Sequence, residues 1–555
     1  MDTNEPNKQF SNGVNRRRFV TGLGAAAATA GLSGKDAPAA PLRATGIGGL
    51  SPEQRQRRAY QMRVDAAQYH ARRPLYAQPT NADESLPGYV GNFSKTLPHN
   101  NLGEVDASAY IAFLQALRTG RAADFEAIPM GGTGKLVNPQ ASYAFSTEGP
   151  DSHQLILDAP PAFSSAQLAA SLIENYWLAM TRDVAYADYG SSSLIQQAAA
   201  DLSKLSGYVG PTANGKSITP EVIFRGATAG DLEGPYVSQF LLLSIPYGMI
   251  GVPQLYSTQA PGIDFITAFP ELVSIQRGIP FKQGLSFDPT PRYIRNGRDM
   301  ASYVHTDWSY QSPLNAALIL ASFGATRVSR ANPYRGYKTQ AGFTTFGTPD
   351  VLDLVGRVSA AALKATWNQK WLVHRTARPE VVGARLHNVL SGAAQYPLHS
   401  EMLKSAGPQA AYSRFGTYLL PQAYPEGSPA HPSYPAGHAV LLGAGVTILK
   451  AFYDTAATIP NPVVPNADGT SLVPYTGPPL TIGGELNKLA NNVAIGRNGA
   501  GIHYRHDGDA GIRLGEAVAL GILHDMAGCY TEEFSGFTIT KFDGTQVSIC
   551  PNCVI

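Results

Sequence analysis

His431-Pro432-Ser433-Tyr434-Pro435-Ala436-Gly437-His438-Ala439 sets two prolines and a Gly-His step directly before an apolar run that extends to Tyr453. Within that run Leu441, Leu442, Val446, Leu449 and Phe452 recur at helical spacing, which predicts a helix. A Pro/Gly-punctuated loop opening into a helix aims backbone N–H groups and the positive end of the helix dipole at whatever lies above it. Such ends bind anions. His438 stands at that end, so an acid/base group faces the anion hole.

Two clusters flank the stretch. Upstream lies Lys370-Trp371-Leu372-Val373-His374-Arg375-Thr376-Ala377-Arg378-Pro379, and downstream Gly496-Arg497-Asn498-Gly499-Ala500-Gly501-Ile502-His503-Tyr504-Arg505-His506-Asp507. Lys370, Arg378 and Arg497 supply positive charge, while His438 and His503 supply imidazoles. That inventory suits a tetrahedral oxyanion, with one histidine to transfer a proton and the other to bond the central atom.

The order and spacing of these clusters resemble the three-part signature of the vanadium haloperoxidases and the related phosphatidic acid phosphatase type 2 superfamily. The eight-residue step from Lys370 to Arg378, the phrase His431 to Pro435, and Gly496-Arg497-Asn498 before His503 are similar to the algal-type bromoperoxidase branch. Leu97-Pro98-His99-Asn100, Glu148 to His153, Tyr176-Trp177 and Gly230 to Tyr236 extend the likeness over most of the chain.

The resemblance implies an all-α fold of two helical bundles with long loops, and a vanadate cofactor. It implies that His503 bonds vanadium and that His438 is the acid/base that takes a proton from hydrogen peroxide. Lys370, Arg378, Arg497 and the N–H of Gly437 would hold the other oxygens, and Lys370 would also polarise bound peroxide. Trp367 and His431 would border the halide site. Asp507 would orient a neighbour or cap a helix, whereas His374 and His506 read as packing or surface residues.

The implied activity is oxidation of bromide (or iodide) by peroxide to a hypohalous species that halogenates small organic acceptors. The alternative is an acid phosphatase-like hydrolase with His503 as nucleophile. A third reading is a non-catalytic oxyanion-binding descendant. One departure bears on all three. Ala436 stands where the family has serine, which removes one hydrogen bond to the oxyanion, worth roughly 0.5–1.5 kcal/mol and up to ~3 to a charged group.

Net charge is +2, so nothing favours nucleic acid or an anionic membrane as partner. Charged residues make up 15%, against roughly 25% in an ordinary globular protein. A surface so sparse in charge is expected where subunits cover part of it, and algal-type relatives form dimers and larger rings. Asn15-Arg16-Arg17-Arg18-Phe19 followed by the Ala/Gly-rich run Val20 to Leu32 reads as a twin-arginine export signal. The run is shorter than the about 20 residues a membrane span needs. Ala37-Pro38-Ala39 offers a cleavage site, and a periplasmic or secreted enzyme is expected. Cys529, Cys550 and Cys553 suggest a disulfide in the tail, with the pairing open.

The expected organisation is a signal over 1–40, an N-terminal helical region over 41–340, a vanadate-binding helical bundle over 341–527 and a tail with a small β-hairpin over 528–555. Ser51-Pro52-Glu53 caps a first helix that stops at Pro74, and Asp106 starts another that ends before Gly120. Further helices are expected over about 164–184, 236–245, after Ser312, from Thr348 through His374, over 484–497 and from His503 to Met526. Trp367, Lys370 and His374 fall on one helical face. Phe537–Phe542, Asp543-Gly544 and Thr545–Ile549 carry a hairpin signal.

Overall fold

The apolar run after the Gly-His step forms the helix Gly437–Phe452, and every residue from Ala439 to Phe452 is buried. A helix apolar all round belongs at the centre of a protein. This one packs most extensively against the helix Arg505–Ala527, then against Thr348–Asn368, Ile482–Gly499 and Gln311–Ser322. Two glycines make the first of these contacts possible. A Cβ on Gly443 would lie 2.1 Å from the Ile512 carbonyl oxygen, and one on Gly515 would lie 2.0 Å from the Val440 carbonyl oxygen. Backbone meets backbone there, so the helices are held at a spacing that only glycine permits. Gly515→Ala is expected to cost about 1–3 kcal/mol or more of stability through overpacking. A lowered thermal unfolding midpoint with unchanged far-ultraviolet circular dichroism checks it.

This computed structural model describes residues 49–550, Lys216 and Lys282 excepted. The twin-arginine signal expected over 1–40 lies outside the described residues. The chain divides into two units between Arg58 and Ala59. In the first, Ser51 accepts from the Gln54 N–H at 3.3 Å while Gln54 returns a bond to the Ser51 N–H at 2.8 Å, the reciprocal cap that starts the helix Pro52–Ala71. The second, from Ala59 onward, contains the rest of that helix with His70, all the remaining elements and two large apolar cores. One surrounds Gly437–Phe452, and the other surrounds Ala166–Met180 together with Ala377, Val381, Val382, Leu386 and Tyr504.

Fifteen helices and only two-stranded antiparallel sheets among the described residues make the protein all-α, as expected. Asp106 caps the helix Ala107–Thr119 and Gly120 ends it at φ 68°. The tail hairpin pairs Phe537 with Ile549 and Thr540 with Gln546, and its Phe537, Ile539 and Ile549 pack into the main core. Cys550 is disulfide-bonded, and Cys529 carries an exposed free thiol.

Two local expectations are corrected. Residues 236–245 do not form a helix beyond the short turn Gln239–Leu241. Their backbone donors are taken by side chains of Ile482–Gly499: Asn492 accepts from the Ser238 N–H and Glu485 from the Gln239 N–H, each at 2.8 Å. Pro379 opens a helix that was not among those expected, Pro379–Leu390, with Arg378 as its N-cap residue, where a proline is well tolerated.

Candidate active site

The loop before Gly437–Phe452 is tied down on both sides. The Ser433 N–H donates to the Thr376 carbonyl at 3.0 Å, and the Ala436 N–H donates to the Asp507 carbonyl at 2.9 Å. The Ser433 hydroxyl donates to Asp507 Oδ2 at 2.5 Å. The loop thereby draws the first and third clusters to the helix end. Ala436 is the N-cap residue and its side chain makes no cap bond, so the opening turn keeps free N–H donors.

Lys370 reaches the same point through a change of helix type. Thr348–Asn368 is α-helical, but Gln369–His374 widens into a π turn that ends at Arg375, φ 43°. The wider turn moves His374 off the face that straight helical spacing assigns it. His374 bonds the Gln369 side chain at 3.0 Å and lies edge-on to Tyr434, a packing role. Lys370 is fully buried and donates to the carbonyls of Pro432 at 2.7 Å and Ser433 at 2.5 Å.

Arg378 Nη1 donates to the Ile502 carbonyl at 3.0 Å and to His503 Nε2 at 2.9 Å. Its Nε donates to the His431 carbonyl and its Nη2 to His431 Nδ1, both at 3.0 Å. Arg497 donates from Nη1 to the Val304 carbonyl at 2.6 Å and faces the Tyr424 ring at 5.7 Å, and its buried Nε has no partner. The bonds of all three cations run to carbonyls and imidazoles rather than to carboxylates. Asp507 supplies negative charge to Lys370 and Arg378, and Glu380, which also acts on Arg378, is already paired with Lys95 at 3.0 Å. The pocket therefore carries buried positive charge in excess, which is costly unless an anion shares it.

His503 completes the pocket. Asp507 Oδ2 lies 2.8 Å from Nδ1 and, as a carboxylate, can only accept. Nδ1 thus holds the proton and Nε2 presents a lone pair, the arrangement that readies an imidazole to bond a metal. Burial first, then Arg378, Lys370 and Arg497, hold the His503 pKa well below its ordinary value, so the ring is neutral. Asp507 therefore orients His503 and, accepting from the Tyr504 N–H at 3.3 Å, also caps the helix Arg505–Ala527. His506 stacks on Tyr504 and faces Ser171, a packing role.

His438 lies in the first turn of the central helix, with its side chain 26% exposed and Nε2 2.9 Å from Asp307 Oδ1. Asp307 carries no motif and is a residue that sequence reading missed, since no local pattern marks a carboxylate 131 positions away. Trp367 and His431 do come together, ring centroids 5.0 Å apart, and Trp367 donates to the Val137 carbonyl at 3.2 Å. Withdrawal from water, then Arg378 and Lys370, pushes the His431 pKa well down. A cavity of about 360 Å³ is lined by Leu363, Trp367, His431, Gly437, His438, Arg497 and His503, with Tyr424, His305 and Glu426 also on its wall. A larger cleft of about 770 Å³, bordered by Tyr186, Tyr236 and Arg225, has neither histidine nor lysine in its lining. The chemistry belongs to the smaller cavity.

Burial first, then Arg378, holds Lys370 well below its ordinary 10.5. Between those values the unfolded chain keeps a proton that the folded chain has shed, so apoprotein stability rises with pH across that window. An oxyanion that restores the proton binds more weakly over the same rise. Denaturant midpoints should climb toward pH 10.5 in the wild type, and the climb should be shallower in Lys370→Met, the buried Lys95, Lys450 and Arg378 supplying the remainder.

A family model described as the VCPO second helical-bundle domain matches residues 354–530. A vanadium-dependent bromoperoxidase of Ascophyllum nodosum is 36% identical over 524 residues, covering 90% of this chain and 93% of the relative. Vanadium-dependent bromoperoxidases of Corallina pilulifera and Corallina officinalis are each 32% identical, covering 86% and 91% of this chain and 93% and 100% of theirs. The solved homohexameric structure of the second vanadate-dependent bromoperoxidase of Ascophyllum nodosum superposes with a TM-score of 0.87 at 30% identity, over 94% of this chain and 95% of that one.

Proposed function

The chain belongs to the vanadium-dependent bromoperoxidase family, and from that membership we propose that it oxidises bromide with hydrogen peroxide, using vanadate held by Lys370, Arg378, Gly437, His438, Arg497 and His503. One observation carries the assignment of the site. Three buried cations, an orphaned Arg497 Nε and an uncapped helix N-terminus surround His503 Nε2, whose lone pair is met only by the Arg378 Nη1 N–H at 2.9 Å. These residues fit an oxyanion whose central atom accepts a nitrogen ligand. When bound, vanadate supplies a Lewis-acidic centre that activates peroxide toward halide without changing its own oxidation state.

The protein's own groups do the rest. Lys370, Arg378 and Arg497 offset the charge of the anion through charge-assisted hydrogen bonds. His503 presents Nε2, with Asp507 fixing the tautomer. His438 takes and returns the peroxide proton, and Asp307 holds its ring through Nε2. Trp367 and His431 border the space where bromide, or iodide, would meet the activated peroxide. The homohexameric relative supports an oligomeric assembly for this chain, and the export reading rests on Arg16-Arg17 before the Ala/Gly-rich run. Size-exclusion chromatography and cell fractionation test those two points.

Ala436 offers no hydroxyl to the bound anion and is fully buried at the helix end. Apoprotein freed of phosphate should brominate a dye only when orthovanadate is added. In Ala436→Ser the vanadate concentration for half-maximal rate should fall about tenfold, the effect of a hydrogen bond worth about 1.4 kcal/mol. Phosphomonoester hydrolysis without bromination in both proteins would overturn the peroxidase assignment and favour a hydrolase.

A further inference from the structure

A second cluster of metal-ligating side chains lies where the last turn of Pro52–Ala71 meets the last turn of Arg505–Ala527. His70, His524 and Asp525 bring one ligand atom each to within 4.8 Å of one another. His70 Nε2 lies 2.9 Å and His524 Nδ1 3.5 Å from the same oxygen, Asp525 Oδ1. The two imidazole rings stand nearly perpendicular, centroids 6.2 Å apart. Asp525 Oδ2 is fixed by the Gly149 N–H at 2.7 Å, and the Tyr69 ring stacks on His524 at 3.7 Å.

A His70–Asp525 hydrogen bond alone would tie these elements together, but it leaves His524 unexplained. His524 is 94% buried, its Nε2 has no partner, and its Nδ1 faces only Asp525 Oδ1 at 3.5 Å, without good hydrogen-bond geometry. A neutral imidazole carries one donor and one acceptor, and burying both unpaired is unfavourable. The position adds a second argument. The cluster sits at the negative end of a helix of 23 residues, where a cation is favoured.

We propose that His70, His524 and Asp525 bind a divalent transition-metal ion of the zinc type. Two imidazoles and one carboxylate suit zinc and its neighbours rather than calcium or magnesium, which prefer all-oxygen shells. Ligands about 2.0–2.2 Å from such an ion stand roughly 3.3–3.5 Å apart in a tetrahedral site. His524 and Asp525 already have that spacing, and binding would draw His70 Nε2 off Asp525 Oδ1 and close the separation between the two imidazoles, whose ligand atoms lie within 4.8 Å. Asp525 is 14% exposed, which leaves a path for the ion and a fourth position for water. The ion would fasten the end of the first helix and the Gly149 loop to the helix that begins just after His503. Its role is therefore structural and independent of halide oxidation.

The test uses the full chain, stripped with a chelator and kept free of vanadate. Co2+ is titrated in and followed by visible absorption and by the thermal midpoint. The expected result is a single Co2+ per chain giving visible ligand-field bands, a raised midpoint, displacement by Zn2+, and loss of all three in His524→Ala. Asp525→Asn serves as the second variant if circular dichroism finds His524→Ala unfolded. The proposal is overturned by a wild type without bands or midpoint shift. It is equally overturned by variants that bind Co2+ as the wild type does.

Discussion

His503→Ala is expected to reduce vanadate-dependent bromide oxidation to the level of a protein-free control. Removing a group that only orients a metal ligand costs about 10–100-fold, and here the ligand itself is removed. The three cations remain, so the variant should still take up a simple oxyanion such as phosphate. What it loses is the lone pair held ready by Asp507 at 2.8 Å. Equilibrium dialysis with vanadate should find binding lost or greatly weakened, with circular dichroism unchanged. Asp507→Ala should fall between this variant and the wild type. It keeps the imidazole but frees its tautomer and removes a negative charge from Lys370 and Arg378. A His503→Ala protein with wild-type turnover would remove the metal-bonding role from the site.

The second large effect is expected at His438. Removing a positioned acid/base group lowers a rate by about 10²–10⁴-fold, so His438→Ala should lose kcat by that factor. Vanadate affinity should change far less, because Lys370, Arg378, Arg497 and His503 all remain. This split between turnover and affinity separates a proton-transfer group from an anion-binding one. Asp307→Ala should show the same split with a smaller loss, since its carboxylate acts through the His438 ring at 2.9 Å. Steady-state kinetics across vanadate concentrations measure both quantities. A loss confined to vanadate affinity would make His438 a binding residue only.

The helices most securely legible were those whose ends carry their own chemistry. Asp106 and Gly120 bound one because a carboxylate cap and a left-handed glycine act within a single turn. The hairpin at Asp543-Gly544 is equally local. Residues 236–245 misled for the opposite reason. They read as helical, but Asn492 and Glu485, far along the chain, bond the Ser238 and Gln239 N–H groups and hold the segment as a single short turn. The π turn at Gln369–His374 likewise has no signal in spacing, and it carries Lys370, which enters the pocket, and His374, which packs against Gln369 and Tyr434.

By itself the sequence determined which residues could make an oxyanion site. The three cations, the two histidines and the Pro/Gly loop before an apolar helix stand in recognisable phrases, and their chemistry follows from residue type. Only the tertiary structure decided how they are used. It gave His438 its carboxylate from Asp307, assigned Asp507 to His503, and set Trp367 against His431. It also put His70, near the start of the chain, beside His524 and Asp525. Caps and periodicity act over one turn, whereas the convergence of buried charges depends on how closely whole helices pack. Here that spacing is set by backbone contacts at Gly443 and Gly515.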